Sequence, residues 1–218
     1  MTGIRRRDLL AGVAGAATIA GTSIGTAVPA QGAPRVPDGD ATSAGDGRTV
    51  KLQEGTDLAA QLSPDGRMIA IDVVGVLWTL PASGGPARRL TSDLFDIAQP
   101  EWSPNSATIT FQSYRDGAFN IWLIRPDGSG LRQVTYGPYD HREPRFSPDG
   151  RRIAFSSDLS GSYGIYTLDV AAGAITPVTD TTLEEYEPAW SPDGARIRSW
   201  SPTPASTSSR SRPVPATR

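Results

Sequence analysis

The sequence predicts an all-β fold: a β-propeller of four-stranded blades, incomplete, with three blades and the start of a fourth. Three observations carry this. A Ser-Pro-Asp-Gly tetrapeptide recurs with spacings of 40, 44 and 44 residues. Strand-like apolar runs keep fixed distances from each copy. Gly (23) and Pro (19) are abundant among the 218 residues, which favours frequent turns over long helices. A repeat of about 40–45 residues with four strands is the period of a propeller blade.

The copies are Ser63-Pro64-Asp65-Gly66, the degenerate Ser103-Pro104-Asn105-Ser106, Ser147-Pro148-Asp149-Gly150 and Ser191-Pro192-Asp193-Gly194. Each follows a large apolar residue: Leu62, Trp102, Phe146 or Trp190. After the first three copies comes a strand-like run, as in Ile153-Ala154-Phe155, then an aromatic segment such as Ile121-Trp122-Leu123-Ile124. A short segment ending in Thr91, Thr135 or Thr179 closes the unit. Trp78 to Thr91, Trp122 to Thr135 and Tyr166 to Thr179 are each 13 residues, and each Thr lies 12 before the next Ser. The first repeat is shorter only between its second and third strands. Ile69 to Trp78 is 9 residues, where Ile109 to Trp122 and Ile153 to Tyr166 are 13.

Ser at the first position, Pro at the second and Gly at the fourth suit a type I turn. The tetrapeptide is therefore expected to be a hairpin turn with a structural Asp. A ring of metal-binding aspartates is the rival, and it lacks clustered ligands. Ser106 in place of Gly is expected to cost roughly 1 kcal/mol if its φ is positive. Pro100, Pro144 and Pro188 are expected at the start of the first strand of their blades, and Pro177 in the last strand, because proline is tolerated at strand starts and edges.

Residues 1–33 read as a twin-arginine signal peptide. Arg6-Arg7 precedes Asp8-Leu9-Leu10, a mildly apolar run and a small-residue end. Gly21-Thr22-Ser23-Ile24-Gly25 matches a nucleophile elbow, but inside this leader it lacks the strand, helix and partners that an elbow needs. Residues 34–48 read as a linker, and residues 49–194 as the partial propeller. Residues 195–218, rich in Ser, Pro, Thr and Arg, read as a disordered or frameshifted tail with no strand pattern.

Formal charge is +2 over residues 1–33, −9 over 34–194 and +5 over 195–218. The acidic body argues against nucleic acid as a partner, because displacing counterions needs a basic face. No 20-residue run is apolar enough for a confident span, so no stable membrane anchor is expected after cleavage. Without cysteine, and with the single His141, thiol chemistry and multi-histidine metal cages are excluded. No catalytic, cofactor-binding or metal-binding residues are assigned, and no cofactor is expected. His141 is expected on the loop entering the third blade. Glu184-Glu185-Tyr186-Glu187 is expected to be a solvated acidic stretch. Tyr114-Arg115-Asp116 and Ser157-Asp158 are expected in loops that gather at one rim, where partners often bind, with a turn role favoured over a contact role for these residues.

Over residues 55–197 the succession of Pro, aromatic, Ser-Pro-Asp-Gly, Ile-Ala-Phe, Ile-Trp/Tyr and Val-Thr resembles the WD40-like repeat of TolB-type β-propellers. EGTDLAAQLSPDGR, FQSYRDG and IRPDGSGLRQVT resemble most the N-terminal propeller part of secreted amidohydrolases. The resemblance implies an exported, periplasmic or extracellular module that binds a protein or peptide and is not an enzyme as it stands. It implies, alternatively, the truncated accessory propeller of a secreted metal-dependent amidohydrolase. Open blade faces imply possible self-association.

Overall fold

The computed structural model describes residues 59–180, 182–202 and 210–215. Residues 1–48, read from the sequence as signal peptide and linker, lie outside the described residues. Three four-stranded antiparallel sheets follow one another in chain order, and a three-stranded sheet completes the series. Blade 1 is β1 (Ala60–Leu62), β2 (Met68–Val73), β3 (Val76–Pro81) and β4 (Arg88–Arg89). Blade 2 is β5 (Ile97–Trp102), β6 (Ile109–Ser113), β7 (Asn120–Ile124) and β8 (Arg132–Gln133), entered through a short 3-10 turn at Asp93–Phe95. Blade 3 is β9 (His141–Phe146), β10 (Arg152–Ser157), β11 (Gly164–Asp169) and β12 (Ile175–Pro177). The fourth sheet is β13 (Tyr186–Trp190), β14 (Arg196–Trp200) and β15 (Arg210–Pro213).

The last two strands correct the reading of residues 195–218. β14 pairs with β13, and Arg196–Ser199 pair with Pro213–Arg210 of β15. Ladder hydrogen bonds come from the backbone, so a strand survives where the side chains carry no apolar alternation. What the side chains change is the core. Ile69, Ile109, Ile153 and Ile197 share one repeat position, but the next position along the same face reads Ile71, Phe111, Phe155 and then Ser199. The partners on the third strand read Leu80, Ile124 and Leu168, and then Arg212.

The core lies between sheets. Side chains alternate across a strand, so Ile109, Phe111, Trp122 and Ile124 face back onto Ala70 and Leu77 of blade 1. Ile121 and Leu123 face forward onto Phe146, Ile153, Phe155 and Leu168 of blade 3. Ala154 and Ile165 meet Ile197 and Trp190 of the fourth sheet. β6 and β7 are therefore buried on both faces. On the corresponding face of blade 1, Ile69, Ile71, Trp78 and Leu80 remain partly exposed.

Each Ser-Pro-Asp-Gly copy closes the same turn. In blade 3, Ser147 Oγ donates to Asp149 Oδ1 at 2.6 Å and accepts from Arg152 N at 2.9 Å, while Arg151 N donates to Asp149 Oδ1 at 3.0 Å. Gly66, Gly150 and Gly194 have φ near +70° (73°, 71° and 69°), and Ser106 is forced to 59°, the strained geometry expected of it. Ser106 compensates by accepting Asp65 N at 3.1 Å from the preceding blade's turn. A Cβ on Gly150 would touch Pro104, and one on Gly194 would touch Pro148, each at 3.6 Å. The turns thus stack blade on blade. The hydroxyl of Ser63, Ser147 or Ser191, followed by a backbone N–H, holds Asp65, Asp149 and Asp193 below the ordinary carboxylate range. These carboxylates are structural.

The terminal threonines have an equally local role. Thr91, Thr135 and Thr179 each offer Oγ1 to a third-strand N–H: Leu77 at 2.9 Å, Ile121 at 2.8 Å and Ile165 at 2.8 Å. The side chain ends the ladder where the short fourth strand stops. The prolines depart from expectation. Pro100, Pro144 and Pro188 sit inside their strands at β-bulges, just after Gln99, Glu143 and Glu187, whose φ values are 53°, 58° and 52°. A bulge leaves a residue out of the ladder, which suits a residue without N–H. Pro177 lies on edge strand β12, as expected.

Candidate functional site

Antiparallel strands put the four turns and the third-to-fourth-strand loops at one rim. The second-to-third-strand loops and the blade-to-blade connections share the other. At this loop rim, side chains from three consecutive sheets touch in series. Tyr114 packs on Phe119 with ring centroids 5.0 Å apart. The Arg142 guanidinium lies 4.1 Å above Phe119 and is paired with Asp140 Oδ2 at 3.2 Å. Asp140 also accepts Phe119 N at 3.0 Å and the Tyr163 hydroxyl at 3.1 Å. Its own N–H donates to Asp158 Oδ1 at 2.9 Å. Tyr163 packs on Tyr186 with ring centroids 4.8 Å apart and planes tilted by 36°, and Tyr186 lies 6.3 Å from Trp200. Trp200 is 42% exposed.

The electrostatics keep both phenols neutral. Burial, reinforced by the Asp140 hydrogen bond, raises Tyr163 far above a free phenol, against the opposing Arg142 charge. Burial and then the hydrogen bond to Glu184 push Tyr186 up to about 12. Tyr186 donates its hydroxyl to Glu184 Oε2 at 3.0 Å. The ring faces are thus fixed by their hydroxyls, an arrangement for stacking rather than for proton transfer.

The sequence candidates fall in different places. Tyr114 and Asp158 join the rim series, while Arg115 lies over Phe95 at 4.5 Å. Ser157 turns inward to accept Leu159 N at 3.1 Å. His141 is corrected. It is the first residue of β9, 1% exposed, packed edge-on against Phe155 at 5.4 Å. Burial lowers its pKa, and Nε2 reaches only the Tyr136 carbonyl at 3.4 Å. Glu184 and Glu187 are solvated, but Glu185 is corrected. It is 1% exposed, and its carboxylate accepts Ser199 Oγ at 3.2 Å and lies 3.6 Å from Arg212 Nη2. Ile97, His141 and Glu185 share one position at successive intervals of 44 residues, which explains why all three are buried. Among the described residues no group of three or more His, Cys, Asp or Glu side chains is placed to hold a metal.

Sequence reasoning missed Phe119, Asp140, Arg142, Tyr163 and Trp200. The signal was present in the repeat offset: Phe119 and Tyr163 are 44 residues apart, as are Arg142 and Tyr186. The junction of blades 2 and 3 holds an arginine on a phenylalanine where the next junction holds a tyrosine on a tyrosine. A cleft of about 490 Å³ between blades 2 and 3 at the turn rim is lined by Leu123, Phe146 and Val170 and by the polar Asn105, Arg125, Arg132 and Asp149. Asn105 and Asp149 are already engaged within their turns.

Stacked four-stranded sheets with these turns form the blades of a β-propeller, and the solved neighbours support one of TolB type. The chain is similar to the solved structure of a protein assigned as TolB from Agrobacterium tumefaciens, at 28% identity and TM-score 0.58, over 66% of this chain and 53% of that one. It is similar in fold to TolB from Acinetobacter baumannii, at 24% identity and TM-score 0.58, over 66% of this chain and 37% of that one. Puromycin hydrolase is a further fold neighbour, at 20% identity and TM-score 0.57, over 66% of this chain and 25% of the enzyme. The chain therefore spans about half or less of the length of these neighbours. No protein-family model and no curated protein matches the sequence.

Proposed function

We propose that the chain is an exported, non-catalytic β-propeller module that binds a protein or peptide at its loop rim. The observation that carries this is the unbroken series Tyr114–Phe119–Arg142–Asp140–Tyr163–Tyr186–Trp200 across three sheets. Tyrosine, tryptophan and arginine are the side chains that dominate binding hot spots. Arg6 and Arg7 would direct export to the periplasm or beyond. A photo-crosslinking residue at Asp116, on the loop rim, should capture a protein partner from exported full-length chain in its native host. The same residue at Pro148, on the turn rim, should not. Equal capture from both rims, or none from Asp116, would remove the support for a loop-rim binding module.

A second reading is favoured by the likeness to puromycin hydrolase, of which the matched part is a quarter. In that reading the array is the accessory propeller of a secreted hydrolase, in sequence terms a metal-dependent amidohydrolase. Further Ser-Pro-Asp-Gly repeats followed by a histidine-rich metal motif in the coding sequence downstream, read in all three frames, would favour it.

A further inference from the structure

The inference concerns the chemistry of the ligand at the far end of the loop rim, and it rests on the loop-rim reading above. The protein supplies its own example of what this rim holds. At the junction of blades 2 and 3, the Arg142 guanidinium is sandwiched between the face of Phe119 at 4.1 Å and the Asp140 carboxylate at 3.2 Å. One repeat later the aromatic member is kept as Tyr163 and the acidic member as Glu184, but the cation's place is taken by Tyr186. The next aromatic face outward is Trp200, the register partner of Tyr186 across β13 and β14. Trp200 is 42% exposed, and Glu184 and Glu187 are exposed beside the same strand.

This end of the rim therefore has an exposed indole linked through Tyr186 to the Glu184 carboxylate, with Arg198 on the same face of β14 as Trp200. The acidic charge here is local: Glu184 and Glu187 flank the start of β13, whereas residues 195–218, which include Trp200, carry a net +5. An indole face is the strongest aromatic partner for a cation, and a neighbouring carboxylate adds a charge-assisted hydrogen bond. We propose that the Trp200–Tyr186–Glu184 end of the loop rim binds the guanidinium side chain of a basic peptide, in the way Phe119 and Asp140 bind Arg142.

Titration of the full chain with acetyl-Gly-Arg-Arg-Arg-Gly-amide, read by tryptophan fluorescence and calorimetry at 0.15 M salt, tests this. The control peptide carries citrulline for each arginine: the same shape without the charge. Saturable binding is expected, with the citrulline peptide at least about tenfold weaker. Trp200→Ala and Glu184→Gln should each weaken binding about fivefold, with circular dichroism unchanged. Asp127→Asn, on the turn rim, should leave it unaltered and so separates a site from diffuse attraction to an acidic protein. No binding, equal binding of the citrulline peptide, or insensitivity to both rim variants would overturn the proposal. So would tryptophan quenching by a neutral oligosaccharide such as cellohexaose without any response to the basic peptide. Failure here with persistent capture at Asp116 would sink only the ligand class; loss of both would sink the loop-rim reading itself.

Discussion

Breaking the buried ion pair under the fourth sheet should unfold that sheet, whereas replacing it whole should not. Glu185 (1% exposed) sits where blades 2 and 3 have Ile97 and His141, and its carboxylate meets Arg212 of β15 at 3.6 Å and Ser199 of β14 at 3.2 Å. Glu185 Oε2 and Arg212 Nε have no hydrogen-bond partner. The pair therefore pays much of its desolvation cost without full compensation. Removing Glu185 leaves the partly buried Arg212 charge alone, and the cost of such a loss reaches about 3–5 kcal/mol where the remaining charge is fully buried. Replacing a buried pair by apolar groups of similar volume is neutral or stabilising by about 1–4 kcal/mol. Glu185→Ala should thus lower Tm by roughly 6–20 °C for a chain of this size. Glu185→Ile combined with Ser199→Ala and Arg212→Leu should match or exceed the parent. Calorimetric melts of the three proteins, with proteolysis at β15 as a local probe, decide it. A Glu185→Ala protein that melts like the parent would refute the pairing of β15 with this cluster.

Three further outcomes are expected. Thr135→Val leaves the Ile121 N–H without the Oγ1 acceptor it has at 2.8 Å, so it should cost about 1–3 kcal/mol in urea unfolding, while Thr135→Ser should restore most of it. Burial, opposed by the Arg145 charge and the Phe146 N–H, raises Glu101 to about 7. Between the ordinary glutamate value and about 7 the folded state holds a proton that the unfolded state has lost, so this residue's contribution to stability falls as pH rises through that window. Glu101→Gln, which still offers an oxygen to Phe146, should flatten the decline in Tm between pH 5 and 7.5. Replacing Arg6 and Arg7 together by Lys should leave the precursor in the cytoplasm, and undiminished export of that variant on cell fractionation would refute the twin-arginine assignment.

What was legible in the sequence was what each repeat does alone. The turn needs Ser, Pro, Asp and Gly within one tetrapeptide, and the terminal Thr needs only a neighbouring strand, so both left a fixed spacing. Ser106 broke the turn rule, and its φ of 59° is where that rule was expected to be strained. What was hidden depends on two sheets at once. His141 and Glu185 look like loop residues because polar side chains in an apolar slot are visible only when the slot is aligned with Ile97. β14 and β15 were hidden because their pairing is a backbone property, and Arg198, Ser199, Arg210 and Arg212 disguise it. Pro100, Pro144 and Pro188 mark bulges rather than strand starts, a distinction made by the φ of the preceding residue. The rim series was hidden for the same reason as the buried slots, since Phe119 and Arg142 come from different blades.

Everything at the loop rim follows from one premise, that consecutive sheets stack in chain order with each turn resting on the turn before it. The chain has no cysteine, so an introduced pair reports this without background. Ser106 Oγ lies 3.1 Å from Asp65 N across 41 residues of sequence. Asp65→Cys with Ser106→Cys should therefore form an intramolecular disulfide under mild oxidation, read as a mass loss of about 2 Da and a linked peptide, within disulfide reach. Asp65→Cys with Gly150→Cys, two turns apart, should stay reduced. A disulfide in the second protein and none in the first would contradict the stacking order on which the account rests.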